Sequence, residues 1–239
     1  MRDVSNYQAD VNVAELPEHI IAVKATEGTG YISPSFQKQW KAAKDAGKAR
    51  IAYHFNHPSL SAVAQGRAFL NVVEEAGLEE NDCLAADIEV NDGLHPEAVS
   101  DQAVQLRNWI EEETKCKLII YTYLSFAESG NCAGLGEQPL WIADPSRPPA
   151  NPRIPEPWKD WVFHQTGIVK GIDSDVFHSD NVEDLFKYSG LYKPPPLGEH
   201  ERQVYLSDGE VERDTIVHVD NFIAGFEMRV GRALFRILH

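Results

Sequence analysis

Two carboxylates two residues apart close an apolar run. In CLAADIEVND, residues 83–92, Asp87 and Glu89 follow Cys83, Leu84, Ala85 and Ala86. If the run is a strand, side chains at i and i+2 share a face, about 6.6 Å apart along the chain. Like charges so placed repel, and each raises the other's affinity for a proton. A protonated carboxyl beside an ionised one is what cleavage of a glycosidic bond uses. One acid protonates the leaving oxygen, and the other stabilises the positive charge growing on the sugar. The plainer reading is a strand end whose acids meet solvent or a helix N-terminus.

Other acids fall at comparable positions. Asp3 lies beside the first expected strand, and Asp173 and Asp175 follow the last strand-like run. In a closed barrel the first and last strands are neighbours, so these acids would approach one mouth. Tyr53, Tyr121 and Trp141 stand near strand ends. Rings at a polar mouth suit the faces of sugars; core packing with a wet hydroxyl or N–H serves equally well.

The elements that must position these groups alternate along most of the chain. Strands are expected over 19–26, 50–55, 83–89, 117–122, 139–143 and 161–166, with helical stretches over 33–47, 60–77 and 95–115. Gly47 and Gly77 mark helix stops and Pro96 a helix start. Strand–helix–strand repetition predicts parallel strands under covering helices, a closed α/β barrel whose reactive groups gather where strands end. Beyond Tyr121 the helices shorten and the loops become proline-rich, as in ADPSRPPANPRIPEPW.

The stretch YKPPPLG then reads as a stiff linker over 192–198, dividing a catalytic unit (1–191) from a small C-terminal unit (199–239). Residues 202–219 predict a hairpin around Asp208-Gly209. Residues 220–238 predict a helix with Phe222, Phe226, Val230, Ala233 and Ile237 on one face. Such a stripe needs a cover, and self-association or wall attachment would supply one.

A net charge of −15 excludes a general affinity for nucleic-acid backbones. No run is long and apolar enough for a membrane span, and no basic-then-apolar leader opens the chain, which predicts synthesis in a cytoplasm without a signal peptide. Cys83, Cys116 and Cys132 form no CxxC pair and are expected as reduced thiols.

The order of DVSNYQ (3–8), VKATEGTGYISPSF (23–36), AYHF (52–55), AADIE (85–89), IIYT (119–122), LWIAD (140–144) and HQTG leading to IDSDVF (172–177) resembles the glycoside hydrolase family 25 lysozymes. These are N-acetylmuramidases of bacteria, fungi and phage endolysins. The resemblance covers roughly residues 1–190. It implies a TIM-like β/α barrel of five βα units followed by strands lacking full helices. It also implies hydrolysis of the β-1,4 bond between N-acetylmuramic acid and N-acetylglucosamine in peptidoglycan.

By motif, Glu89 matches the general acid and Asp87 the acid two residues before it. Asp3 matches the acid of the opening motif and Asp173 that of the closing one, leaving Asp175 where asparagine is usual. His54 and Gln165 belong to the family's Y-H-F and W-Q-Y motifs and join Tyr53, Tyr121 and Trp141 as candidate sugar contacts. His164 and Thr166 depart from W-Q-Y, and Asp144-Pro145 departs from the usual segment after W-I-A.

The partner implied is the peptidoglycan glycan strand, met after release from the cell, through a holin-type route if the chain is phage-encoded. No cofactor or metal is expected. His54, His57, Asp87 and Glu89 are metal-ligand types, but their spacing enforces no ligand geometry. A barrel that binds wall glycan without cutting it is the other reading. Retention, substrate assistance and inversion all remain compatible with these acids.

Overall fold

The computed structural model describes residues 1–190, 227–230 and 233–236 of the 239-residue chain. The chain divides into two compact units, Met1–Tyr192 and Lys193–His239.

In the first unit, strands β1 (Arg2–Val4), β2 (Ile20–Glu27), β3 (Tyr31–Ile32), β4 (Ala49–Phe55), β5 (Cys83–Asp87), β6 (Ile119–Tyr123), β7 (Leu140–Ala143), β8 (Phe163–Val169) and β9 (Ile172–Phe177) form one sheet. β1 pairs in parallel with β2 and antiparallel with β9, which closes the sheet into an eight-stranded barrel. β3 is an added antiparallel flap on β2. The strands from β2 to β8 run parallel apart from β3, and β9 returns antiparallel.

Alternation along each strand separates two cores. Ile51, Tyr53, Cys83, Ala85, Ile119, Trp141 and Phe163 fill the barrel. Ala52, Leu84, Ala86, Ile120 and Ile142 face outward and pack with Trp40, Phe69, Leu106 and Ile110 of the covering helices. Those helices are α1 (Phe36–Asp45), α2 (Ala62–Glu75) and α3 (Pro96–Thr114). α1 and α2 end at Gly47 and Gly77, whose φ values of 66° and 87° are left-handed and cheap for glycine alone.

The resemblance implied five βα units; three have full helices. The β1–β2 connection holds only 3-10 turns at Asn6–Gln8 and Val13–Glu15. After β6 a turn at Leu124–Phe126 runs into a π turn at Ala127–Asn131, where Gly130 takes φ 89° and stops the helix. The expected loss of helices in the second half holds: β7 runs to β8 through an irregular segment, and β8–β9 is a hairpin.

The predicted C-terminal helix is overturned where the structure describes it. Glu227–Val230 and Ala233–Arg236 pair as antiparallel strands β10 and β11, with Val230 opposite Ala233. Phe222 and Ile237, the linker and the hairpin over 202–219 lie outside the described residues. A short apolar run satisfies helix and strand periods alike, and Gly231 between the two strands disfavours a helix. The apolar helical stripe, and self-association through it, therefore lose their basis.

At the end of the barrel away from the strand C-termini, buried Arg50 of β4 makes a two-pronged pair with Asp82, Nε–Oδ1 2.8 Å and Nη2–Oδ2 2.6 Å, and stacks on Trp40. Removing one partner of a buried pair leaves the other charge unsatisfied. Here Glu79 still meets Arg50 Nη2 at 3.0 Å, so Asp82→Ala should cost about 1–3 kcal/mol, read from the shift of the urea midpoint.

Candidate active site

Strand parity places the acids. β5 turns Cys83, Ala85 and Asp87 inward, and the chain continues extended far enough for Ile88 N–H to donate to the Tyr121 carbonyl at 2.9 Å. Glu89 thus follows on the same side as Asp87, just beyond the strand end. Both line a cavity of about 440 Å³ at the C-terminal mouth of the parallel strands, together with Asp3, Lys24, Tyr121 and Asp173. A larger groove of about 940 Å³ opens by the strand N-termini near Lys117, Trp161 and His178, far from this acid set.

The carboxyls sit where water is scarce. Asp3 is buried, and burial followed by the charges of Asp175 and Asp173 pushes its pKa well above the usual range. Asp87 is likewise pushed well up, first by burial and then by Glu89, and its Oδ1 has no partner. Glu89 is only partly buried; burial raises it and the Lys24 ammonium works against the rise. Two carboxyls that each resist ionisation beside the other titrate as a pair.

Asp173 and Asp175 both lie on β9, at different depths. Asp173 pairs across to Asp3 at the mouth and is half-buried, which raises its pKa. Asp175, opposite Gln165, lies deeper; its Oδ1 accepts from Trp141 Nε1 at 2.7 Å and its Oδ2 has no partner. Burial pushes Asp175 up to about 7 despite that hydrogen bond.

Of the candidate sugar contacts, Tyr53, Tyr121, Trp141 and Gln165 line the mouth. Tyr121 donates to Gln165 Oε1 at 3.0 Å, and Gln165 Nε2 donates to Asp3 Oδ2 at 3.1 Å, so the amide orients the acid. Trp141 meets Tyr53 and Tyr121 edge to face and is almost wholly buried, a floor to the mouth more than an open platform.

His54 is a correction. It faces α2, not the mouth, hydrogen-bonds Thr26 Oγ1 at 2.8 Å and Gln65 Oε1 at 3.3 Å, and burial lowers its pKa to about 4. A one-residue step along a strand changes faces, and Tyr53 already occupies the inward position. With His54 turned away, the four metal-ligand types do not converge, and among the described residues no group of three or more such side chains could hold an ion. Lys24, Glu27, Phe55, Ser5 and Tyr7 line the mouth as well and were not singled out from the sequence. Their signal lay inside the DVSNYQ, VKATEG and AYHF motifs.

The profile of Glycosyl hydrolases family 25 matches residues 2–172. The chain belongs to this family. An N,O-diacetylmuramidase of Arthroderma benhamiae is 30% identical over 199 residues, covering 74% of this chain and 80% of that protein. Uncharacterized protein YegX of Escherichia coli K12 is also 30% identical, over 208 residues, covering 81% of this chain and 74% of its own. The family GH25 lysozyme structure from Aspergillus fumigatus superposes with a TM-score of 0.70 at 28% identity, covering 79% of this chain and 97% of that one.

The departures of this family 25 chain from the resembled pattern spare the mouth. His164 points out of the barrel and is fully buried, and Thr166 Oγ1 donates to the Ser174 carbonyl at 3.0 Å. Asp175 in place of asparagine is the exception, because it lies beneath Asp3. Asp175→Asn keeps an oxygen for Trp141 and removes a negative charge that raises Asp3. Asp3 then ionises at lower pH, so the acidic limb of the rate profile should move down while turnover stays within about threefold. Asp3→Asn should instead lower turnover about 10²-fold. Rate–pH profiles of the two variants check this.

Proposed function

We propose that Glu89 and Asp87 divide the work of a lysozyme, with Glu89 as general acid and Asp87 as the charge that stabilises the sugar cation. The chain is a peptidoglycan hydrolase, an N-acetylmuramidase acting on the β-1,4 bond between N-acetylmuramic acid and N-acetylglucosamine. The observation that supports the division of roles is the difference in depth. Asp87 lies buried in the mouth, whereas Glu89, past the strand end, remains within reach of a glycosidic oxygen.

In this reading Glu89 donates the proton to the leaving oxygen, and Asp87 carries the negative charge as the sugar becomes positive. Asp3 and Asp173 extend that negative field, and the Tyr121–Gln165–Asp3 chain holds one edge of it in place. The complete acid set speaks against a barrel that only binds glycan.

The substrate places the action at the bacterial cell wall. Release through a holin-type route if the chain is phage-encoded, and attachment to the wall by residues 199–239, complete this reading. No helix among the described residues is long and apolar enough to cross a membrane.

Glu89→Gln preserves shape but cannot donate the proton, so clearing of a peptidoglycan suspension should slow about 10²–10⁴-fold with an unchanged melting profile. Asp87→Asn should be similarly severe, about 10²-fold or more. More than half of wild-type activity in folded Glu89→Gln would overturn the assignment. Truncation after Lys193 should leave hydrolysis of soluble fragments intact and weaken sedimentation with whole walls. Equal wall binding by the full and truncated chains would exclude the attachment role.

A further inference from the structure

A line of alternating charges leaves the mouth and ends in the loop that carries Glu89. Lys24, the one cation lining the mouth among the described residues, lies 4.5 Å from the Phe55 ring centroid and pairs with Glu27 at 2.6 Å. A register shift between Lys24 and Thr26 on β2 accompanies the turn of Glu27 to the same opening. The other oxygen of Glu27 meets His57 Nε2 at 3.2 Å, and His57 Nδ1 meets Asp92 Oδ1 at 3.1 Å. Asp92 stands three residues after Glu89, at a left-handed φ of 48° that costs energy in a non-glycine residue. Ser59 holds the same carboxylate through its hydroxyl at 2.8 Å and its N–H at 3.2 Å.

His57 is itself firmly placed. Its backbone N–H donates to Gln65 Oε1, and its carbonyl accepts from Gln65 Nε2, both at 2.9 Å. We propose that His57 is a positioning residue for the hydrolysis, an imidazolium that ties the Glu89 loop, through Asp92, to the strand bearing Lys24, through Glu27. This rests on the muramidase reading above.

The chemistry requires the charged ring. Neutral imidazole has one N–H, so it can donate to Glu27 or to Asp92 but not to both. The groups around the ring are Glu27 from β2, Asp92 with its partner Ser59 from the loops, and neutral His54 from β4. Gln65 from α2 holds the His57 backbone, and Lys24 bears on the ring through Glu27. Partial burial works against the charge, and the two carboxylates outweigh it, so the pKa of His57 is raised. The bridge is therefore complete between the lowered pKa values of Glu27 and Asp92 and the raised one of His57, and is lost as pH rises through the latter.

The test measures kcat and KM on soluble peptidoglycan fragments across pH for the full chain, His57→Ala and Asp92→Asn, with the His57 ring titrated by NMR. His57→Ala should lower kcat about tenfold below neutrality, since a misplaced acid is costly, with KM within about twofold. Its profile should lose one titration step on the alkaline side, where wild type falls to the level of the variant. Asp92→Asn should lower the His57 midpoint and reproduce part of the kcat loss.

An unchanged kcat, or a loss uniform across pH with every titration step retained, would overturn the proposal. So would a His57 midpoint that ignores Asp92→Asn. Wild-type inactivity on all fragments would instead refute the muramidase reading, because the NMR titration reports the bridge without turnover.

Discussion

Closure of the barrel by Arg2–Val4 is the contact on which the site depends. This three-residue strand has β2 on one side and β9 on the other, and Asp3 lies opposite Ala22 and Asp173. Without closure the sheet would have two edges, with Asp3 and Asp173 on separate ones. With it, acids spread over most of the first unit meet across one mouth. So short a strand contributes few ladder hydrogen bonds. Its hold comes also from Arg2, whose Nε pairs with Glu18 at 2.7 Å, and from Gln165, which donates to Asp3.

Gathering carboxyls in this way opposes stability. Each buried acid resists ionisation, and Asp3, Asp87 and Asp175 are all raised by burial first and by carboxyl neighbours or despite their hydrogen bonds second. The raised pKa values ease that conflict, because each such acid holds a proton to higher pH. That protonation is the reserve a general acid draws on, so the same desolvation that weakens the fold prepares the chemistry. The apolar interior below, with Ile51, Ala85, Ile119 and Phe163, supplies burial that carries no such conflict.

Much of this was legible because strands alternate and because chemistry selects residue types. The apolar run before Asp87 predicted both an inward face and an acid pair at its end. His54 was misplaced because a motif records neighbours in sequence and not faces; its parity with outward Ala52 carried the correct answer. Asp173 and Asp175 share parity, so their difference in depth was hidden until β9 was known to run antiparallel. The helix expected near the C-terminus failed for a related reason: over eight or ten residues, period alone does not separate helix from hairpin. His57 and Asp92 were invisible as partners, since they meet through two loops whose paths depend on the packing of α2 and α3.

Two of the departures from the family pattern, His164 and Asp144, are one compensated unit. His164 Nε2 lies 2.9 Å from the Asp144 carbonyl oxygen, and a carbonyl only accepts, so this nitrogen carries the proton. The Asp144 carboxylate accepts from Arg153 Nε at 3.0 Å, Arg153 Nη2 at 3.1 Å and the Arg153 N–H at 3.1 Å, and is held well below the usual carboxylate range. An irregular segment without a helix must satisfy its polar groups by such side-chain contacts. The histidine ties the start of that segment to β8, and the arginine ties its middle back to its start. Because the ring faces outward, this repair leaves Gln165, its inward neighbour, free to hold Asp3.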